Sequence, residues 1–432
     1  MGDGVMDNEK QIMTEGDDAT PMDATHRLRP MAGRDPHERG RTATTLELLY
    51  DLVFVVAIGQ AANQLAHLTA EGHYATALGG FVFAIFAVLW AWINFSWFSS
   101  AFDTDDWQHR LATMVQMVGV TVLGLGVPAM FHELDAGHGI DNRVMVAGYV
   151  VMRVAMVFQW LRAAKQSPQY RSACRVYIVT IILAQIGWVA MTFMHLTVAS
   201  ATLFMIGLLL IELGGPYLAE TRYGGTPWHA HHIAERYGLL TIIALGEGII
   251  GTVASLSAVV EAQGWTREAM LIVIAGMGLT FGMWWCYFLV PAGEILHVYR
   301  ARAFRWGYGN LPLLAALIAT GAGLHVAALF IEHQAHIGPV ATVLALAIPV
   351  ALYLGGIYGM YIALFDDADS FHGVLMIITA VVLVTGPLLA ALGVSMAVCL
   401  LVVMIAPAVT VVGYEVFGYR HMTEVLKRIL HR

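Results

Sequence analysis

Seven ionisable side chains fall inside or at the edge of long apolar runs: Glu47, Asp51, Arg153, Glu212, Glu235, Arg236 and Glu247, with His232 one turn before Arg236. Carboxylates and guanidinium groups in such surroundings relay protons, hold a permeating ion, or pair with one another. A charge near the centre of a bilayer costs on the order of 2.5–3.5 kcal/mol on insertion scales, so these side chains are expected to turn inward and find partners. Glu47 and Asp51 are four residues apart and share one helix face, where like charges repel. They need a cation or a proton. Arg236 is the first candidate, provided that the helices carrying the two segments meet, and Arg153 is the second. Glu235 and Glu247 are twelve residues apart, which separates them by about 120° around a straight helix and about 18 Å along it. One site cannot use both.

Each of these groups has a plainer role open to it. Glu47 and Glu235 fit the first turn of a helix, where the helix dipole favours an acid. Asp51, Glu212, Arg153 and Glu247 fit structural ion pairs that only fix helix packing. Gly59, Gly246, Gly248 and Gly251 lie beside the carboxylates and are candidates for close helix contact or a hinge. In "PWHAHHIAER" (227–236), His231 and His232 stand at helical spacing to Glu235, and Glu294 with His297 forms another E-x-x-H. Such pairs can bind zinc or iron. No second pair of matching spacing is present, so an interfacial histidine cluster is the favoured reading and no metal is expected. Trp90, Trp92 and Trp97, like the pair Trp284–Trp285, fall near the ends of apolar runs and fit an aromatic belt. There is no Walker A, G-x-S-x-G or H-E-x-x-H motif and no DNA-reading module. Neither an enzyme nor a cofactor nor a nucleic-acid partner is expected.

The elements that must position these groups follow from composition. Of 432 residues, 58% are hydrophobic and only 12% charged, about half the charged share of a soluble domain. Apolar runs recur from Leu48 almost to the end, each long enough to cross a hydrocarbon core about 30 Å thick. The expected fold is all-α and integral to the membrane, with about twelve transmembrane helices. They fall at 48–67, 75–99, 110–131, 144–162, 175–195, 200–219, 234–256, 269–290, 311–331, 339–363, 373–392 and 394–415. Cys174, Cys286 and Cys399 stand far apart and suggest neither a disulfide framework nor a zinc knuckle. Residues 1–41 are polar and read as a disordered cytoplasmic tail, and 419–432 as a basic cytoplasmic tail.

Charge placement supports both termini in the cytoplasm. The segments on that side hold Arg27, Arg29, Arg34, Arg39, Arg41, Arg110, Arg162, Lys165, Arg171 and Arg175, then Arg222, Arg300, Arg302, Arg305 and the basic tail. The opposite side holds only Arg143 and Arg267, which is the positive-inside bias.

Two echoes suggest an internal duplication. "YDLVFVVAIGQ" (50–60) aligns on "YGLLTIIALGE" (237–247), an offset of 237 − 50 = 187, and "FHELDAGHG" (131–139) on "FIEHQAHIG" (330–338), an offset of 330 − 131 = 199. The pairs match the first span with the seventh and the end of the third with the end of the ninth. Two six-helix repeats in parallel orientation, 42–230 and 231–418, are therefore expected.

"ELLYDLVFVVAIGQ" (47–60) and "HHIAERYGLLTIIALGEGI" (231–249) resemble the two signatures of the bacterial low temperature requirement A (LtrA) family. The resemblance runs from about residue 41 to residue 420 and covers Glu47, Asp51, His232, Glu235, Arg236, Gly246 and Glu247. It implies a multispan protein of the bacterial cytoplasmic membrane, but no substrate. Gly248, Gly59, Asn310 and Leu289 depart from the family's usual Ser, Thr, His and Asp at those positions. Membrane-embedded carboxylates beside glycines favour a transporter or channel for a small ion or solute, with a proton-coupled mechanism as one form of it. The expected partners are the lipid bilayer and that solute. The alternatives are a non-transporting scaffold or cold-response factor, and a membrane enzyme built on His229, His231, His232, Glu235, Glu294 and His297.

Overall fold

The computed structural model describes residues 28–194, 198–365 and 370–418; the C-terminal tail and residues 1–27 lie outside them. Thirteen α-helices and no strand are present among the described residues. The first half contains α1 (Thr45–Glu71), α2 (Tyr74–Phe102), α3 (Trp107–Asp135), α4 (Arg143–Gln166), α5 (Arg171–Phe193) and α6 (Val198–Arg222). The second contains α7 (Ala230–Gln263), α8 (Arg267–Phe288), the short α9 (Ala292–Val298), α10 (Ala303–Ile331), α11 (Pro339–Phe365), α12 (Ser370–Ala391) and α13 (Met396–Gly413). Twelve helices among the described residues are long and apolar enough to cross a membrane, at the places the apolar runs indicate.

Local chemistry sets the ends. Thr44 caps α1, its hydroxyl accepting from Glu47 N–H while the Glu47 carboxylate takes Thr44 N–H, a reciprocal capping box. Gly72 closes the same helix at φ 89°, a left-handed conformation that costs glycine little. Asp106, His229 and Thr266 cap α3, α7 and α8. The tightest connection, between α12 and α13, turns through Gly393 at φ 79°. The largest boundary difference is in α10, which starts at Ala303, eight residues before the expected 311. The polar stretch there stays helical because Trp306 and Asn310 are buried against the bundle.

Packing runs in sequence order. In the first half α1 rests on α2 and α3, and α3 to α6 pack each on the next. In the second, α7 rests on α8 and α10, and α10 to α13 pack each on the next, with α8 also against α13. The halves meet where α1 and α2 face α7 and α10. The α7–α10 crossing is close enough to exclude side chains: a Cβ at Gly251 would stand 2.5 Å from the Gly321 carbonyl oxygen. Gly248 is similarly tight, 2.7 Å from Thr280 Oγ1, whereas Gly246 faces open space. α7 is helical throughout, without an unwound hinge at these glycines.

Residues 28–41, expected to be part of a disordered tail, instead form a strap across one face of the bundle. Polarity alone hides this, because the strap is held mainly through its backbone. Met31 is buried, its N–H donating to Gln166 Oε1 at 2.6 Å and its carbonyl accepting from Ser167 Oγ at 2.6 Å. Arg34 N–H donates to the Ala101 carbonyl, and Arg162 bonds both the Arg29 carbonyl and the Asp106 carboxylate. His229 Nε2, at the start of α7, lies 2.8 Å from the Glu38 carbonyl oxygen, so the strap ties together the ends of α2, α3, α4 and α7.

Asp106 anchors this face. Burial alone would raise its pKa, but hydrogen bonds from Arg162 and from the backbone N–H groups of His109 and Arg29 outweigh that and hold it at about 2. A carboxyl with a folded pKa below its unfolded value, about 3.9, contributes stability that is complete above both values and lost as pH falls through the folded one. Asp106→Asn is therefore expected to unfold about 1–3 kcal/mol more readily than the parent protein at pH 7. The gap should close between about pH 4 and pH 2, measured by chemical unfolding of the detergent-solubilised chain.

Candidate functional site

The capping box places Glu47 at the start of α1 with its carboxylate turned into the bundle. Glu47 Oε1 accepts from Ser99 Oγ of α2 at 2.5 Å and from Arg236 Nη1 of α7 at 2.6 Å. His232 Nε2 lies 3.2 Å from Glu47 Oε2. One turn further along α1, Asp51 Oδ1 accepts from Arg236 Nη2 at 2.5 Å and from Trp92 Nε1 of α2 at 2.6 Å. The guanidinium also sits 5.6 Å from the Trp92 ring centre and 5.8 Å from that of Phe95, within cation–π range.

Glu47, Asp51, His232 and Arg236 are each no more than 1% exposed. Two carboxylates and one guanidinium carry a net charge of −1 when His232 is neutral, and zero when it is cationic. Three buried atoms of the cluster, Asp51 Oδ2, His232 Nδ1 and Arg236 Nε, have no hydrogen-bond partner among the described residues. The two lead helices do meet, and Arg236 is the cation that Glu47 and Asp51 need.

Arg153 serves a different acid. It lies 3.2 Å from Glu212 Oε2 and bonds the Tyr149 hydroxyl, with its guanidinium 4.5 Å from the Tyr149 ring centre. Trp90 Nε1 donates to Glu212 Oε2 at 2.7 Å and Tyr149 Oη to Glu212 Oε1 at 3.2 Å. This second cluster joins α2, α4 and α6 inside the first half. It borders an apolar groove of about 290 Å³ walled by Phe83, Phe86 and Trp188.

The remaining acids stand apart. Glu235 is half-buried and accepts the Ala43 N–H at 3.1 Å, so one of its oxygens holds the strap. Glu247 is 7% exposed and eleven residues beyond Arg236, about 16 Å along the helix. No ion pair or hydrogen bond engages its carboxyl among the described residues. Gly59 of α1 lies beside it, a Cβ there standing 3.3 Å from Glu247 Oε1, and Gly321 of α10 presses on its backbone.

Two tryptophans were hidden from sequence reasoning. Trp90 and Trp92 are fully buried and donate to Glu212 and Asp51, so the aromatic-belt reading fails for both. Their spacing of two on a helix that also carries Ser99 gave no sign of which acids they meet. Trp284, at 37% exposure, does fit a belt position. The expected histidine pairs separate: His232 turns to Glu47, while His231 lies against His297 at 5.4 Å between ring centres. Among the described residues, the group whose donor atoms converge closely enough for a metal ion is Glu71, His73 and Asp135, exposed at the opposite end of α1 and α3.

The twelve apolar helices and their buried charge clusters define a polytopic helical membrane protein. A model of the bacterial low temperature requirement A protein (LtrA) family matches residues 42–407. The chain belongs to that family. It is 26% identical over 298 residues to an uncharacterized protein of Rhizobium meliloti (strain 1021), covering 64% of this chain and 67% of the relative. No solved structure matches significantly.

Removing one partner from a buried ion cluster leaves an uncompensated charge and typically costs about 3–5 kcal/mol. Arg236→Met is expected to lose that much in chemical unfolding of the solubilised protein. Arg236→Lys should lose less, since it keeps the counter-charge, but still lose some, since an ammonium cannot bridge both carboxylates as the planar fork does. Combining Arg236→Met with Glu47→Gln and Asp51→Asn should recover most of the loss, a coupling that independent sites would not give.

Proposed function

We propose that this protein is a transporter or channel for a small ion or solute in the bacterial inner membrane. Its two six-helix halves run parallel, and the face bearing the strap is cytoplasmic. The matching packing order of the halves supports the duplication, and the arginine-rich segments at the strap face support the orientation. The observation that carries the functional reading is the buried Glu47–Asp51–Arg236–His232 cluster at the junction of the halves, with Asp51 Oδ2 and His232 Nδ1 unpartnered among the described residues. The two carboxylates of α1 and the guanidinium of α7 meet across the junction, so a change in this cluster bears directly on the contact between halves. Glu247, deeper on α7 and without a counter-ion, is the group free to take a proton or cation at mid-membrane.

A non-transporting scaffold is the second reading. It is favoured by one feature: Glu47 and Asp51 Oδ1 are fully engaged and sealed from solvent, as in a structural lock. Reconstitution separates the two. Proteoliposomes loaded with a pH-reporting dye are expected to carry a proton or alkali-cation current that Asp51→Asn and Glu247→Gln each reduce at least about tenfold, with size-exclusion profile and helical content unchanged. Equal flux in the variants, or none in the wild type across protons, Na⁺, K⁺ and Mg²⁺, would defeat the transport reading.

A further inference from the structure

A separate pocket of about 270 Å³ opens among α7, α8, α9, α10 and α11 near the strap face. Two carboxylates, Glu235 and Glu294, line it with His231, and aromatic walls come from Tyr287 and Trp306. No Lys or Arg lines it. The other polar group, Asn310, is already used: its Oδ1 accepts from Tyr287 Oη at 3.0 Å and its Nδ2 donates to the Trp306 carbonyl at 2.9 Å. Among the described residues, Glu235 gives one oxygen to the Ala43 N–H, and no hydrogen bond or ion pair engages its other oxygen or the Glu294 carboxylate.

Acids without a Lys or Arg beside them, next to aromatic rings in a cavity just under the usual ligand-pocket size, match a small organic cation. A bare divalent ion would need donor atoms that converge, and the acids and His231 here do not. We propose that this pocket binds a small organic ammonium ion, its charged head between Glu235 and Glu294 and its methyl or methylene groups against Tyr287 and Trp306. The proposal stands apart from the transport reading: none of Glu47, Asp51, His232 and Arg236 lines the pocket, and its test reads binding rather than flux.

Isothermal titration of the full detergent-solubilised chain with tetramethylammonium chloride, against matched NaCl, tests it. One saturable site per chain is expected, with at least tenfold preference over tert-butanol, a neutral molecule of similar shape. Glu235→Gln keeps an oxygen for the Ala43 N–H, so the double variant Glu235→Gln, Glu294→Gln should fold and bind at least about tenfold more weakly. If that variant does not fold, Glu294→Gln alone, at an exposed position, should weaken binding about threefold. Asp135→Asn, at the other end of the bundle, should leave binding unchanged. Absence of saturable binding, equal binding of tert-butanol, or undiminished binding by the glutamine variants would overturn the assignment.

Discussion

Arg236 is held by two carboxylates on α1, and the junction of the two halves is organised around it. A guanidinium taken out of water must recover its hydration in protein hydrogen bonds, and its two bridging bonds supply part of that. Glu47 and Asp51 repel each other across one turn of helix until the cation lies between them. The same contact draws in α2, whose Ser99 and Trp92 fill remaining acceptor positions. Three helices from two halves thus share one electrostatic centre, and their rotation about their own axes is set by it.

The Arg153–Glu212 cluster follows the same logic within the first half. There too a tryptophan of α2 donates to a buried acid, so α2 carries indole donors for both clusters on opposite sides of one turn. Each acid has a cation and an N–H donor, which is how a low-dielectric interior tolerates charge. Glu247 is the exception. Its neighbours are glycines, which bring helices close without offering it a hydrogen bond. That contrast separates carboxylates that hold helices together through charge and hydrogen bonds from one that has no such partner among the described residues.

The strap adds a further constraint at the same end. Backbone groups from residues 28–43 reach the ends of four helices, and Glu235 and His229 at the start of α7 accept or face the strap while α7 begins its crossing. The pocket lined by Glu235 lies directly behind this region. Its acids are therefore presented by elements already anchored on several sides.

Apolar runs long enough to cross a bilayer and the spacing of Glu47 and Asp51 were readable from the chain, because hydropathy and helical period act over a few residues. Arg236 could be named as their partner because a buried acid pair needs a cation and few were available. The competition between Arg236 and Arg153 could not be resolved that way. It turns on how α4 and α6 pack, which brings Glu212 to Arg153 and leaves Asp51 to Arg236. The donor roles of Trp90 and Trp92 were hidden for the same reason, since a tryptophan near the end of a span suits an interface as well as a core. So was the docking of residues 28–41, whose polar composition says nothing about the carbonyls and N–H groups waiting at distant helix ends. Near-neighbour chemistry decided which segments are helices and which groups need partners; contacts between residues far apart in the chain decided which partners they found.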